Sequence, residues 1–353
     1  MQTILNINQK LFLEIYNPIL RIYRFCMALI CIYLISVNQI HGQGQANVWY
    51  FGEGAGLNFN TNPPTQLENG NTGLIALTGE GVGSIADANG NLLFYTNGAT
   101  IFDRNHNIMP NGTGLNGTGT TTQTGLIVPI PGSSTQYYVI STTSGGTSPV
   151  KYVIVDMTLN GGNGDVVIAS KAGTNGTTLL ADASEAAVAI PHNNEVDYWI
   201  VFHQKASDVY NVFLATASGI SFSANYSAGW AQSGAQQVIL MKTNSCFDKI
   251  ATSFYNFGRV DIVSFDNTTG AVTNAGLIQL SGTGAGNAFN NVEVYGIEFS
   301  PNGRFLYVSE GGLNGRDDLH QFDLQAGSTA AIIASRRTHL GGTTSRAGQL
   351  QLG

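Results

Sequence analysis

The sequence has few charged residues, and basic residues are the rarer kind. Only 10% of the 353 residues are charged, and Lys and Arg number 15 against 22 Asp and Glu. A disordered chain carries more charge and less apolar content than the 43% found here. A nucleic-acid-binding protein needs a basic surface, so the acidic balance excludes nucleic acid as a partner.

Long apolar segments are also absent, with one exception near the N-terminus. Residues 25–37 form a thirteen-residue apolar run that follows Arg21 and Arg24 and precedes a polar stretch with small residues. This pattern is typical of a secretory signal peptide, and the run is shorter than the roughly 20 residues of a membrane-spanning helix. We therefore expect residues 1–42 to be a cleaved signal peptide, residues 43–353 to be exported, and no membrane span to remain.

Cysteine is scarce, which excludes a disulfide framework. Two of the three cysteines, Cys26 and Cys31, lie in the predicted signal peptide, so only Cys246 remains in the exported part. The domain must therefore be held together by core burial and sheet hydrogen bonds. A catalytic thiol needs a His and an orienting partner that the sequence does not place beside Cys246, so we expect a buried or inactive thiol.

Glycine, with 44 residues, is abundant, and it marks a repeated unit. Each unit has a short apolar strand, a turn of Gly, Asn or Pro, and a strand rich in aromatic and β-branched residues. Five units occupy residues 84–96, 126–141, 187–202, 237–254 and 296–309, with turns 42 to 61 residues apart. This period predicts an all-β propeller of four-stranded blades. A β-sandwich also has alternating strands, but it does not explain the repeat.

The ends of the repeat suggest an incomplete ring. Residues 347–353 read as the first strand of a sixth blade, so we expect five blades and a fragment, with the domain 43–353 truncated on its C-terminal side. An N-terminal strand at residues 48–51 could complete the last blade. We also expect an outer strand at residues 330–335 and a flexible surface connection at the Gly/Thr-rich residues 111–125.

One cluster of oxygen-bearing side chains is a weak candidate for a metal site. Asp87, Asn89 and Asn91 alternate around a glycine, as ligands do in calcium loops. The chain then turns directly into a strand, where a calcium loop would continue for several more positions to a Glu. A plain Asn-Gly hairpin therefore explains these residues better, and we expect no metal and no cofactor.

No catalytic motif appears in the exported part. It lacks nucleophile-elbow, phosphate-loop and dinucleotide motifs, and its histidines lack the spacing of zinc ligands. Asp317 and Asp318 are adjacent, so their side chains point apart and indicate a solvated loop better than a glycosidase pair. If the domain binds a ligand on one rim, the candidate residues are His106, His203, Arg316 and Asp317.

Several segments together resemble a known group of proteins. WYFGEGAGLNFN (49–60), SIADANGNLLFYTNGATIFDRNHNIMPNGTGL (84–115) and YGIEFSPNGRFLYVSE (295–310) resemble the N-terminal propeller of large secreted Bacteroidetes surface proteins. Those proteins are associated with gliding motility and type IX secretion. The resemblance implies surface attachment, PKD modules and a C-terminal sorting domain further along the chain, and it supplies no catalytic residues.

These observations favour a non-catalytic binding, adhesion or scaffold module at the outer-membrane surface or outside the cell. Its expected partner is an extracellular polysaccharide or a surface protein. An alternative is an extracellular hydrolase or lyase acting on polysaccharide, which would need two carboxylates or a His–carboxylate pair brought together by the fold. A nonfunctional gene fragment is a third interpretation.

Overall fold

The computed structural model describes residues 44–51, 54–68, 70, 80–147, 149–171, 175–231, 239–280, 292–312, 317–343 and 349–351. The predicted signal peptide, residues 1–42, lies outside the described residues.

The described chain forms six small antiparallel sheets that follow one another along the sequence. Sheet 1 contains β1 (Val48–Phe51), β2 (Ala55–Asn58) and β3 (Thr65–Leu67), and sheet 2 contains β4 (Gly83–Ala86), β5 (Leu92–Thr96) and β6 (Ile101–Asp103). Sheet 3 contains β7 (Leu126–Pro129), β8 (Gln136–Ser141), β9 (Val150–Asp156), β10 (Asp165–Val166) and β11 (Thr177–Leu180), the last two both paired with β9.

The later sheets each have four strands in chain order. Sheet 4 contains β12 (Ala187–Pro191), β13 (Tyr198–His203), β14 (Val209–Thr216) and β15 (Gly219–Ser227). Sheet 5 contains β16 (Ile239–Thr243), β17 (Lys249–Phe254), β18 (Arg259–Phe265) and β19 (Val272–Gln279). Sheet 6 contains β20 (Val292–Phe299), β21 (Phe305–Gly312), β22 (Asp317–Asp323) and β23 (Arg337–Thr343), with the helix α1 (Thr329–Ala334) before β23.

The first strands of the six sheets stand side by side around a common axis. Strand β1 contacts β4, β4 contacts β7, β7 contacts β12, β12 contacts β16, and β16 contacts β20. Successive sheets that meet through their first strands and extend outward form a six-bladed β-propeller. The predicted all-β propeller fold is confirmed.

The number of blades and the role of the N-terminal strand differ from the prediction. Strand β1 does not complete the last blade but pairs with β2, from Val48↔Asn58 to Phe51↔Ala55, so the sixth sheet is supplied by the N-terminal side. The two strands are close in sequence, so this pairing closes a far shorter loop than pairing with a distant blade. Residues 349–351 lie outside any strand, and Lys242 donates a hydrogen bond to Gln351.

The repeated units predicted from the sequence form the two innermost strands of sheets 2 to 6. The hairpin of β4 and β5 turns at Gly90 with φ 81°, and that of β20 and β21 turns at Gly303 with φ 66°. A residue with a Cβ rarely adopts such φ values, which explains the glycine at both turns. The local turn chemistry was therefore a reliable guide to these hairpins.

The outer strand predicted at residues 330–335 is wrong, because this segment forms most of the helix α1. Ser328 caps the helix by accepting a hydrogen bond from the Ala331 amide at 3.2 Å. Alanine favours helix over strand, and the capping serine begins the helix directly before it. The outer strand of sheet 6 is instead β23, which pairs with β22.

The core lies between neighbouring sheets. Five clusters of buried apolar side chains fill the five interfaces from sheets 1 and 2 to sheets 5 and 6. Strand β13 shows why, since Trp199 and Val201 pack towards sheet 5 while Ile200 and Phe202 pack towards sheet 3. Side chains alternate between the two faces of a strand, so a sheet covered on both faces needs apolar residues at every position.

Candidate functional site

The chain segments that lead into the first strands of sheets 2, 3 and 4 meet at one end of the propeller axis. The Gly81 amide, just before β4, donates to the Thr121 carbonyl, just before β7, at 2.9 Å. The Thr142 hydroxyl, which follows β8, donates to the Glu185 carbonyl, just before β12, at 3.1 Å. We call the polar residues gathered here, Glu80, Thr122, Gly145, Glu185 and Tyr295, the axial mouth.

Glu185 is the fixed centre of the axial mouth. Its side chain is fully buried, with 0% exposure. Oxygen Oε2 accepts hydrogen bonds from the Thr122 amide at 2.5 Å and the Thr122 hydroxyl at 2.8 Å, while Oε1 accepts from the Gly145 amide at 2.6 Å. A buried carboxylate is tolerated only when donors surround it, and these three donors hold two loops together.

Glu80 is the carboxylate of the mouth that reaches solvent. It is exposed on one side, yet the burial of its other side and the neighbouring charge of Glu185 raise the pKa of Glu80 to about 7. Burial raises the pKa of Tyr295 to about 12, and the charges of Glu80 and Glu185 add to this effect, while a hydrogen bond with Thr122 opposes it. These groups are therefore close enough for the charge of one to change the titration of another.

Gln123 joins three sheets beside the mouth. Its Oε1 accepts from the Ala187 amide at 3.2 Å and from the Met241 amide at 2.8 Å, and its Nε2 donates to the Met241 carbonyl at 2.8 Å. Thr121, Thr122 and Thr124 nearby are also buried. The expectation of a flexible surface connection at residues 111–125 is therefore wrong for this part, because threonine and glutamine supply the hydrogen bonds that the irregular backbone at the axis requires.

The geometry limits the chemistry of the mouth. Glu185 is fully buried and its two oxygens already accept hydrogen bonds from Thr122 and Gly145, so its side chain does not reach the surface of the mouth. Glycoside hydrolysis normally needs two carboxylates on opposite sides of the scissile bond. Of the two carboxylates in the mouth, only Glu80 is placed to meet a ligand, and it can act as a hydrogen-bond partner or as a single acid or base.

The weak metal candidates Asp87, Asn89 and Asn91 form the predicted hairpin turn. Asp87 Oδ1 accepts from the amides of Asn89 and Asn91, both at 2.9 Å, and the Asn91 side chain donates to Asp87 Oδ2 at 3.0 Å. Asp103 makes the same pattern with the amides of Asn105 and Asn107. A motif that recurs with the same bonds within the protein is explained by turn formation.

His106 lies at the other end of the propeller from the mouth, since antiparallel strands carry the chain from one end of a sheet to the other. It follows β6 in a left-handed conformation with φ 65°. Its ring lies 5.2 Å from that of Tyr50, and its Nδ1 lies 3.3 Å from the Tyr95 hydroxyl. Burial lowers the pKa of His106, while Asp103 opposes that shift.

Of the other predicted rim residues, the structure describes His203 and Asp317, and it does not bring either together with His106. His203 is only 1% exposed and packs edge-on against Tyr210 and Phe254, so its ring is not on a rim. Asp317 begins β22 in another sheet, and Arg316 lies outside the described residues. Cys246 is exposed in the turn between β16 and β17, so of the two expectations, a buried or an inactive thiol, the buried one is wrong.

A signal for the axial mouth is present in the sequence but was not part of the predicted site. Glu80 and Glu185 each stand shortly before the first strand of a repeated unit, and these positions converge in a propeller. A second unforeseen pair joins neighbouring strands of sheet 6, where Glu310 Oε2 lies 2.6 Å from His320 Nε2. On the other side of that ring, Nδ1 lies 3.0 Å from the Thr338 hydroxyl.

The described residues offer neither a metal cluster nor a membrane-spanning helix. They contain no group of three or more His, Cys, Asp or Glu side chains placed to hold a metal ion. Within the same ranges, no helix has both the length and the apolar character needed to cross a membrane.

Comparisons with known proteins add little to the geometry. No family model and no curated protein matches the chain. The periplasmic gluconolactonase of Pseudomonas aeruginosa is 10% identical with a TM-score of 0.38, covering 64% of this chain and 59% of that protein. A protein from Lactobacillus plantarum is 12% identical (TM-score 0.34, coverage 71% and 78%), and Kluyveromyces lactis Hsv2 is 11% identical (TM-score 0.36, coverage 78% and 73%). Similarity this distant carries no information about activity.

Proposed function

We propose that residues 43–353 form a non-catalytic binding domain of an exported surface protein, and that the axial mouth binds an extracellular polysaccharide. The observation that supports this proposal most is the burial of Glu185. Its side chain is fully buried, and its oxygens accept three hydrogen bonds from Thr122 and Gly145. Among the described residues of the mouth, Glu80 is the one carboxylate that reaches solvent, whereas glycoside hydrolysis normally needs two.

The surroundings of the mouth suit a sugar ligand. Thr118 and Thr147 are exposed, and the backbone beside them is fixed by the hydrogen bond from the Ser144 amide to the Thr118 hydroxyl at 3.0 Å. The Thr118 hydroxyl also pairs with that of Thr121, and the Thr147 hydroxyl donates to the Ser144 carbonyl, so both are held in place while their remaining hydrogen-bonding capacity, with Glu80 and the phenol of Tyr295, can meet sugar hydroxyls. Rigid placement lowers the entropic cost of binding.

Export is the part of the proposal that rests on residues 1–42 alone. The basic residues followed by the apolar run support a cleaved signal peptide. Expression of the full chain in a Gram-negative host, followed by N-terminal sequencing of the product outside the cytoplasm, tests this. A product that begins near residue 43 supports export, and an uncleaved cytoplasmic product overturns it.

Binding is tested with the full chain on an array of bacterial and plant polysaccharides, followed by calorimetry on each ligand found. We expect Thr118→Ala with Thr147→Ala to weaken binding by about tenfold, as expected when hydrogen bonds to a ligand are lost. Thr178→Ala, the same change at an exposed threonine of the outer strand β11, is the matched control. A mouth variant that binds every array ligand as tightly as the control contradicts the proposal.

A second candidate function is favoured by two observations. The pKa of Glu80 is about 7, and Glu310 and His320 form a His–carboxylate pair of the kind that an enzyme would need, with Oε2 and Nε2 2.6 Å apart. A carboxyl group that titrates near neutrality suits general acid–base catalysis, and Tyr295 could serve as its partner in a lyase reaction. In that case Glu80→Gln lowers kcat by about 10²-fold or more while polysaccharide affinity stays unchanged. Release of unsaturated or reducing ends by the wild type, lost in this variant, would replace the binding proposal with the lyase.

A further inference from the structure

A pocket at the far end of sheet 6 from the axial mouth collects three arginines of this acidic protein. The cavity has a volume of about 360 Å³, and the residues that matter for its chemistry are Arg304, Gln321, Asp323, Ser335, Arg336 and Arg337. Three arginines and one aspartate line it, so the lining carries a formal charge of +2, whereas the whole chain has a net charge of −7. A local excess of positive charge on a negative protein attracts anions to that place.

Arg304 is held in a fixed orientation at one side of this arginine pocket. Its Nη2 donates to Asp323 Oδ2 at 2.7 Å, and its Nε lies 3.2 Å from both oxygens of that carboxylate. Its guanidinium also lies 4.9 Å from the centre of the Phe305 ring. Asp323 therefore orients this guanidinium and balances one of the three positive charges.

Arg336 and Arg337 supply the charge that Asp323 does not balance. Among the described residues, no carboxylate forms an ion pair with either of them. Arg336 Nη1 is 3.4 Å from the Leu280 carbonyl, and Arg337 stands opposite Gln321 across the β22–β23 pair. Arg337 also lies close enough to Asp323 to contribute to the lowered pKa of that carboxyl, after Arg304, so two arginines share the single carboxylate of the lining.

The backbone that carries these arginines is anchored to β22. The Ser335 hydroxyl accepts a hydrogen bond from the Asp323 amide at 2.8 Å and donates to the Ile332 carbonyl at 2.6 Å. This contact fixes the end of α1 against the strand immediately before Arg336. A guanidinium on an anchored backbone loses less freedom when it binds a ligand.

We propose that the arginine pocket binds the oxyanion of an acidic polysaccharide, either a uronate carboxylate or a sulfate ester. The planar fork of arginine matches both groups with paired hydrogen bonds, and neutral sugars do not exploit it. The polysaccharide as carrier of the oxyanion rests on the proposed function, whereas the pocket lies apart from the axial mouth and is tested separately. The protein has a net negative charge, so its surface outside this pocket repels a polyanion. The polyanion should therefore bind at the arginine pocket.

Binding of three oligosaccharides to the full chain tests the proposal by calorimetry: an oligogalacturonate, a sulfated oligosaccharide and a neutral one of equal length. We expect one or both charged probes to bind and the neutral probe to bind more weakly at the pocket. Arg336→Gln and Arg337→Gln should each lower the affinity for the charged probe by about tenfold, and added salt should lower this affinity further. Arg337→Lys keeps the positive charge but loses the paired donors of the guanidinium. Its affinity should therefore lie between those of the wild type and Arg337→Gln.

Arg104→Gln is the matched control, since Arg104 is an exposed arginine of another blade that donates to the Gly162 carbonyl. Preference for the uronate or for the sulfate identifies the group, and either supports the proposal. An equal loss in the Arg104 variant indicates general charge attraction and overturns it, as does tight binding of inorganic sulfate alone at the affinity of the oligosaccharide. Thr118→Ala with Thr147→Ala leaves binding at the pocket unchanged, which separates this result from failure of the axial mouth.

Discussion

The side chain of Gln123 pairs with the peptide group of Met241 through two hydrogen bonds, one in each direction and both of 2.8 Å. Gln123 belongs to the segment before β7, and Met241 lies in β16, two sheets away. The Gln123 side chain thus forms the donor and acceptor hydrogen bonds with a backbone peptide group that a neighbouring strand would form within a sheet. A residue in a Gly/Thr-rich segment is therefore part of the structure that holds the blades together.

Replacement of Gln123 should destabilise the whole propeller. Gln123→Ala removes three hydrogen bonds and leaves the Met241 and Ala187 backbone groups without them, so the free energy of unfolding should fall by about 2–4 kcal/mol. Urea denaturation measures the change, with Thr120→Ala at an exposed position of the same segment as control. Equal stability of the two variants would show that the axial pairing contributes nothing.

Glu80 should make the protein less stable as the pH rises from about 4.5 to about 7. Its pKa is about 7 in the folded state and near 4.5 when unfolded, so over this range the folded state holds a proton that the unfolded state has lost. Glu80→Gln should flatten this part of the stability profile. The measurement is urea unfolding at several pH values, with Glu68→Gln, an exposed position directly after β3, as the control variant.

His203 should contribute to acid sensitivity in the opposite sense. Burial lowers its pKa to about 4, and the Gln204 carbonyl, 2.9 Å from Nδ1, offsets only part of this effect. The contribution of His203 to the free energy of unfolding should therefore be fully present above pH 6.5. It should be lost as the pH drops towards 4, by up to about 3 kcal/mol. His203→Asn should be less stable at pH 7 but lose less on acidification. His339→Gln, at an exposed histidine, is the control. If His203→Asn loses as much stability on acidification as this control does, the assignment is wrong.

The pair formed by Glu310 and His320 should stabilise sheet 6. Nε2 and Oε2 are 2.6 Å apart, and the His320 side chain is only 2% exposed, so water competes poorly for the interaction. A double-mutant cycle with Glu310→Gln and His320→Asn should give a coupling energy of about 1–2 kcal/mol in urea unfolding. The more exposed pair of Lys249 and Asp248 should couple by less than about 1 kcal/mol. Equal coupling energies in the two pairs would contradict the expectation that burial strengthens the interaction between Glu310 and His320.

The sequence by itself determined the elements whose signals are local. The alternation of apolar residues and the turns at Gly90 and Gly303 predicted the inner hairpins of sheets 2 to 6, because strand period and turn conformation depend on neighbouring residues. The turn at Asp87 was foreseen for the same reason. Local patterns failed at residues 330–335, where a capping serine and alanines outweighed the isoleucines that indicated a strand.

Tertiary structure alone decided the site and the position of the sixth blade. Glu80, Thr122, Glu185 and Tyr295 are spread over more than 200 residues, and only the ring of sheets brings them to one end of the axis. The same is true of Arg304 and Arg336, which meet because β21, β22 and β23 are neighbours in sheet 6. Hydrogen bonds and charge interactions depend on distance in space, which a linear pattern does not contain until the strand pairing is known.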